Sequence, residues 1–253
     1  MPKIKSLIWY LNNPKYLGHA LRVLKSKLSK VERSRKEAVD WAKNLSISNS
    51  EFCKKHEIEL RVFKVDKSSR YESSKALADA VNFGMGGAGN IDLIYSIVTQ
   101  LKPQKILETG VSFGWSSLAI LEGFSSLGQR LISTDMPYVG MGNDNAVGVV
   151  VPKELKNQWQ LIRDEDKRGL PKALELFDGK IDLCHYDSDK SYHGRMFAYP
   201  LLYEALNDGC WFVSDDIGDN VAFKDFCKAK GIEPEVIVEN GRFVGAFRKN
   251  VQI

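Results

Sequence analysis

Residues 105–116 read Lys-Ile-Leu-Glu-Thr-Gly-Val-Ser-Phe-Gly-Trp-Ser, and this stretch constrains the fold more than any other. An apolar run entered after Pro103 reaches a carboxylate at Glu108, meets Gly110 and Gly114, and passes into an amphipathic segment over residues 116–127. The pattern is strand, tight turn, helix. In an open α/β sheet such a turn lies beyond the carboxyl end of its strand, where ligands bind at a topological switch point. Glycine lacks a Cβ and tolerates positive φ, so a ligand or another backbone can approach closely at both positions. The spacing Glu-x-Gly-x-x-x-Gly is not that of Gly-x-Gly-x-x-Gly, and it offers a carboxylate where a diphosphate would be repelled. An acid suits a cationic ligand.

From Lys105 onward short β-rich runs alternate with helical stretches. Further runs at 130–134, 159–162, 181–186, 210–214, 235–238 and 243–247 bring the expected strands to seven. Gly128, Gly179 and Gly209 each precede a strand, as left-handed caps ending the helix before it would. This repetition predicts a doubly wound, mostly parallel α/β sheet. Asn240-Gly241 between the last two runs predicts a hairpin, and hence one antiparallel strand.

A chain of 253 residues, 43% apolar, can bury one large core with a small appendage. No apolar run reaches the length of a transmembrane helix, and the lysine-interrupted start lacks a signal-peptide core. Cys53, Cys184, Cys210 and Cys227 are far apart and form no Cys-x-x-Cys pair, so buried thiols in a reducing cytoplasm are expected. The net charge of +4 is uneven. Residues 1–36 hold ten Lys or Arg against the single acid Glu32, a local +9 that leaves the remainder at −5.

Within that arm Ile4, Leu7, Ile8 and Leu11 recur at helical spacing, and after Asn13-Pro14 so do Leu17, Leu21, Leu24, Leu28 and Val31. Lys3, Lys5, Arg22, Lys25, Lys27 and Lys30 surround them. Such helices either make a weak contact with an anionic membrane surface or dock their leucines on the rest of the chain or a second subunit, which leaves a homo-oligomer open. Residues 33–75 carry helical patterns at 38–45 and 50–55 but no functional one. Gly84 to Gly89 contains a literal Gly-x-Gly-x-x-Gly, yet residues 73–81 before it read as helix where that fingerprint requires a strand. A loop able to close over a ligand fits better, followed by a helix over 91–101 capped by Asn90.

The second strand ends in Asp135-Met136, about 25 residues beyond the glycine turn, where a carboxylate can accept hydrogen bonds from ribose hydroxyls. Residues 138–151 form a long loop rich in Gly and Asn. The acidic stretch Arg163 to Pro171 follows the third strand, and no single residue in it stands out as a ligand group. Tyr186-Asp187-Ser188-Asp189-Lys190-Ser191-Tyr192 and Ser214-Asp215-Asp216-Ile217 fall at the ends of the fourth and fifth strands. Clustered carboxylates are costly to ionise together unless a cation neutralises them. A divalent metal would do so, and oxygen ligands favour magnesium, calcium or manganese. Lys190 is a candidate base, with His193 on the following helix as its rival. His185 shares the inward parity of Ile181 and Leu183 and reads as a hydrogen-bonded core histidine.

Glu108-Thr-Gly110-Val-Ser-Phe-Gly114 resembles the first motif of class I S-adenosylmethionine-dependent methyltransferases, whose acid and glycines surround the methionine part of the cofactor. Asp187-Ser188-Asp189-Lys190 with Asp215-Asp216 resembles the paired motifs of metal-dependent O-methyltransferases of the catechol and caffeoyl-coenzyme A type. Similar patterns occur in the macrocin O-methyltransferase and cephalosporin hydroxylase-like group. Asp216 stands where the catechol-type motif has asparagine, and Ser188 where it has alanine. The resemblance implies a Rossmann-like methyltransferase domain over 91–253, preceded by a basic helical extension with a glycine-rich loop over 1–90. It implies a cofactor site at Glu108, Gly110, Ser112, Gly114, Ser116, Asp135 and Met136. It also implies metal ligands at Asp187, Asp215 and Asp216, Lys190 as base, and a small hydroxylated acceptor such as a sugar or natural product. A nicotinamide-dependent oxidoreductase is disfavoured by the glycine spacing and the hairpin. A nucleic-acid methyltransferase is disfavoured because no Asn/Asp-Pro-Pro-aromatic motif appears and the net basic excess is confined to the arm. A non-catalytic binding protein of the same fold is the remaining alternative.

Overall fold

The computed structural model of the chain describes residues 2–26 and 29–250. The arm forms helices α1 (Pro2–Asn12) and α2 (Leu17–Ser26). Pro14 separates them by opening a 3₁₀ turn, where its missing N–H is not needed. The seven apolar residues expected to form the stripe between Ile4 and Leu24 are 45% to 65% exposed, so the leucines do not dock on the rest of the chain. Lys27 and Leu28 lie outside the described residues, as do the side chains of Lys3 and Lys25. Val31 falls in a separate short turn.

Helices α3 (Arg35–Leu45), α4 (Asn49–Lys55), α5 (Phe63–Asp66) and α6 (Ser68–Asp79) follow, with strand β1 (Ser46–Ile47) between α3 and α4. Ser48 and Glu51 close a capping box at the start of α4: Glu51 N donates to Ser48 Oγ at 3.2 Å, and Ser48 N to Glu51 Oε2 at 2.8 Å. Helix α7 (Ile91–Leu101) begins as expected, with the Asn90 side chain accepting from Leu93 N at 3.1 Å.

The alternation then runs β2 (Lys105–Thr109), α8 (Trp115–Glu122), β3 (Arg130–Thr134), β4 (Trp159–Ile162), α9 (Asp166–Glu175), β5 (Ile181–Tyr186), α10 (Tyr192–Ala205), β6 (Leu206–Ser214), α11 (Ala222–Lys230), β7 (Glu235–Glu239) and β8 (Arg242–Arg248). These form one sheet in the order β1-β7-β8-β6-β5-β2-β3-β4. Strand β8 is antiparallel to both neighbours, and the other pairings are parallel. Asn240 and Gly241 both take positive φ, 50° and 76°, as the hairpin turn requires. The seven expected strands are present, and the eighth is the two-residue β1, which pairs with β7.

Two expectations of local geometry are corrected. Helix α8 stops at Gly123 instead of continuing to residue 127. Gly179 and Gly209 take the positive φ expected of them, but Gly128 does not, and Gly209 lies inside β6, near the irregular register between Ile181 and Leu183, instead of at a helix end.

Both faces of the sheet are covered, and successive side chains alternate between two apolar layers. Ile106 packs with Leu118, Leu131 and Leu183 on one face, and Leu107 with Ile132, Cys184 and Leu170 on the other. Each such side chain, fully buried, contributes about 1.5–3 kcal/mol. Phe212 and Phe247 stack across β6 and β8 with ring centroids 4.8 Å apart. From β2 the chain steps outward through β3 and β4 and then returns to β5 on the other side of β2. The crevice beyond β2 and β5 is therefore the switch point of the sheet.

Candidate active site

Hydrogen bonds continue past the strand ends and set the floor of this crevice. Gly110 N donates to Thr134 O at 2.7 Å, Asp187 N to Thr109 O at 2.8 Å, and Asp215 N to Tyr186 O at 2.9 Å. Gly110 has φ 77°, and a Cβ there would lie 2.3 Å from the Asp187 carbonyl oxygen, so the turn passes backbone against backbone. Gly114, at φ 93°, similarly abuts Gly148, whose N–H donates to Ser112 O at 2.9 Å. The two glycines of the turn thus join β5 and the 138–151 loop to β2.

Above this floor lies a cavity of about 660 Å³. Gly110, Ser112, Asp135, Met136, Asp187, Lys190, His193, Asp215 and Asp216 all border it, as do Gly86, Gly87 and Gly89 of the glycine-rich loop. Glu108 and Gly114 lie outside its lining, and Ser116 borders an adjoining cleft. Glu108 is fully buried and accepts from the hydroxyls of Ser116 and Ser133, each at 2.6 Å, and from Ser117. Its carboxylate ties β2, β3 and the start of α8 together beneath the turn.

Asp135 is buried, and this raises its pKa, an effect opposed by the Val111 N–H at 3.1 Å and by the ion pair with Arg163. Its oxygens retain lone pairs for further donors. In the acidic stretch after β4, Asp164 turns away to Lys172 (2.9 Å) and Arg168, while Glu165 and Asp166 line the cavity. Burial pushes Asp166 up to about 6, against the hydroxyls of Ser188 (2.7 Å) and Tyr186 (3.2 Å).

At the ends of β5 and β6 the expected carboxylates are present, but chain cations neutralise them. Lys190 Nζ is paired with Asp187 and lies 3.1 Å from Asp216 Oδ2. Asp215 turns toward His185, whose Nε2 is 3.6 Å from Asp215 Oδ1 and whose Nδ1 is 3.6 Å from Glu108 Oε1. Both separations are beyond a normal hydrogen bond, so the attraction is between charges. Burial alone would lower the His185 pKa, but the two carboxylates outweigh it and raise it to about 9. Burial likewise opposes ionisation of Asp215, yet His185, with Lys190 and Arg195, holds its carboxyl below the usual range.

The expected ligands of a divalent metal therefore come together but are turned to chain cations. Among the described residues no three His, Cys, Asp or Glu side chains are grouped to hold an ion, and the Lys190 ammonium stands between two of the three proposed ligands. As arranged, these residues do not fit a resident metal.

Two contributors escaped the sequence reading. Arg195 is fully buried, and its Nη2 donates to the carbonyls of Asp215 (3.1 Å) and Asp216 (2.9 Å), holding a turn in which Asp216 takes φ 53°. The signal was an arginine on the same helical stripe as Ala198 and Leu202, where a charge needs a buried partner. The other is the arm. His19, Arg22, Val23 and Ser26 of α2 line the cavity, and Arg22 pairs with Glu165.

Residues 107–217 match a family model described as a methyltransferase domain. Over that stretch the chain is similar to a methyltransferase domain. Solved structures share the fold of the chain. An O-methyltransferase from Bacillus cereus in complex with SAH has 15% identity and a TM-score of 0.52, over 72% of this chain and 90% of that one. Cofactor-bound Rv0187 from MTB has 15% identity and a TM-score of 0.53, over 72% and 91%. The O-methyltransferase TomG from Streptomyces achromogenes, involved in tomaymycin synthesis and in complex with SAM, has 12% identity and a TM-score of 0.53, over 82% and 98%. Comparison of the chain with curated proteins found no match.

Proposed function

We propose that the chain is an O-methyltransferase that transfers the methyl group of S-adenosylmethionine to a small hydroxylated acceptor, a sugar or natural-product-like compound. The observation that carries this reading is the charge of the cavity. Seven carboxylates line it against four Lys or Arg, and two of those cations, Arg22 and Lys190, are already paired. Such a lining favours a sulfonium and an ammonium and repels a diphosphate.

Gly110, Ser112, Asp135 and Met136 would hold the cofactor, with Asp135 accepting from the ribose. Glu108, Gly114 and Ser116 would act from beneath by shaping the turn. The bound cofactor supplies a methyl carbon on a positively charged sulfur, which leaves as a neutral thioether. The chain must align the acceptor oxygen with that carbon and take up its proton. His193 is favoured for the proton over Lys190. Its imidazole borders the cavity from the first turn of α10 with no side-chain hydrogen bond among the described residues, whereas Lys190 is engaged with two carboxylates. Lys190 would instead hold Asp187 and Asp216 in place. The basic arm is proposed to add a weak peripheral contact with a membrane surface.

The test is calorimetric titration with S-adenosylhomocysteine and NADH, followed by methyl transfer to a panel of phenols and sugars. Binding of the first and not the second, with product formed from a hydroxylated acceptor, is expected. Failure to bind S-adenosylhomocysteine would overturn the reading. His193→Asn should lower turnover by about 10²–10⁴-fold at unchanged cofactor affinity. If Lys190→Ala alone does so, the base is Lys190.

A further inference from the structure

Helix α2 has two working faces. His19, Arg22, Val23 and Ser26, spaced i, i+3, i+4 and i+7, border the cavity. Leu17, Leu21 and Leu24, on the opposite side, are 45%, 61% and 62% exposed. Helix α1 likewise exposes Ile4, Leu7, Ile8 and Leu11.

The arm is anchored to the parts that carry the site. Arg22 pairs with Glu165, and Glu32 accepts from the backbone N–H of Tyr192 at 2.7 Å at the start of α10. Gly140 of the 138–151 loop abuts the α1 backbone at Lys5, and a Cβ there would lie 3.1 Å from the Lys5 carbonyl.

We propose that the outer face of α1 and α2 seats on an anionic lipid surface, and that this seating holds α2 in place as a wall of the cavity. Charge complementarity selects the occupant. Residues 1–36 carry ten Lys or Arg, and their one acid, Glu32, is spent on α10. Residues 1–26 hold five Lys or Arg and no acid, and of these Arg22 is paired with Glu165, so a second copy meeting this face isologously would bring like charge against like, whereas an anionic membrane supplies both the apolar phase and the countercharge. Among the described residues no helix is long and apolar enough to cross a membrane, so the arm lies on the surface. Because one helix serves both lipid and cavity, the two ligands are linked: whatever factor vesicles add to affinity in the cavity, the cavity ligand adds to affinity for vesicles. This linkage rests on the cavity's binding S-adenosylhomocysteine, whereas the docking does not.

The test uses the full chain with phosphatidylcholine vesicles, with and without phosphatidylserine, in the presence and absence of S-adenosylhomocysteine. Co-sedimentation with the anionic vesicles alone is expected, weakened by salt. Leu7→Glu with Leu21→Glu, both at exposed positions, should reduce it by about tenfold or more while leaving lipid-free S-adenosylhomocysteine affinity unchanged. Saturating S-adenosylhomocysteine should raise vesicle affinity. Absence of anionic-vesicle binding, indifference to the double substitution, or a dimer that the substitution dissociates would overturn the docking. Vesicle binding without reciprocal linkage would overturn the coupling. If S-adenosylhomocysteine fails to bind in lipid-free solution, the cofactor reading falls and takes the coupling with it, while vesicle binding still decides the docking.

Discussion

Lys190 Nζ lies 3.1 Å from Asp216 Oδ2 and is paired on its other side with Asp187, so a side chain of the protein occupies the space that a divalent ion would need between two carboxylates. The cluster has an internal counterion. Removing it should leave two mutually repelling carboxylates on a partly solvated strand end, the condition under which a hard cation binds. Lys190→Ala is therefore expected to raise Mn²⁺ affinity by about tenfold or more over the unsubstituted protein, read by electron paramagnetic resonance of free Mn²⁺. Equal affinity in both would show that Lys190 does not hold the site closed to metal.

Asp135 accepts from Val111 N and Arg163 and borders the cavity. Asp135→Ala should weaken S-adenosylhomocysteine binding by about 1–3 kcal/mol, the range for loss of charge-assisted hydrogen bonds. Calorimetry at constant pH measures it. An unchanged dissociation constant would remove Asp135 from the cofactor site.

His185 gives a pH dependence of stability with a definite sign. Its folded pKa of about 9 is above the ordinary 6.5, so its contribution is fully present below pH 6.5 and is lost as pH rises through about 9. That interval corresponds to about 3 kcal/mol. Urea midpoints of the unsubstituted protein should fall between pH 6.5 and 9.5 relative to those of His185→Gln, whose profile lacks this component. Parallel profiles would mean that His185 is not an imidazolium between Glu108 and Asp215.

Gly110→Ala places a methyl 2.3 Å from the Asp187 carbonyl at a φ of 77°. The strain should cost about 1–3 kcal/mol of stability, and separation of β2 from the tip of β5 should weaken S-adenosylhomocysteine binding. Denaturation and calorimetry report the two effects separately, and a neutral outcome in both would contradict the close approach.

The strands from β2 onward, the glycine turn, the Asn240-Gly241 hairpin and the placing of Asp135, Asp187, Asp215 and Asp216 at strand tips were legible in the sequence. Each depends on periodicity or turn chemistry over a few neighbouring residues, and sheet topology alone then carries the tips to one edge. Strand β1 was not legible, because two residues have no period, and its pairing with β7 exists only once some 190 intervening residues have folded. The partners of the charges were equally hidden. The motif containing Lys190 and the aspartates reads as a metal cradle until the backbone turns that lysine between Asp187 and Asp216. His185 reads as core until Glu108 and Asp215, from strands on either side of β5, are brought against it. The arm shows its leucine stripe in sequence, but only the tertiary contacts of Arg22 with Glu165 and of Glu32 with α10 decide that the polar face turns inward and the apolar face outward. Local patterns specify which elements form, whereas an ion pair is selected by distance between residues far apart in the chain, and only the folded structure sets those distances.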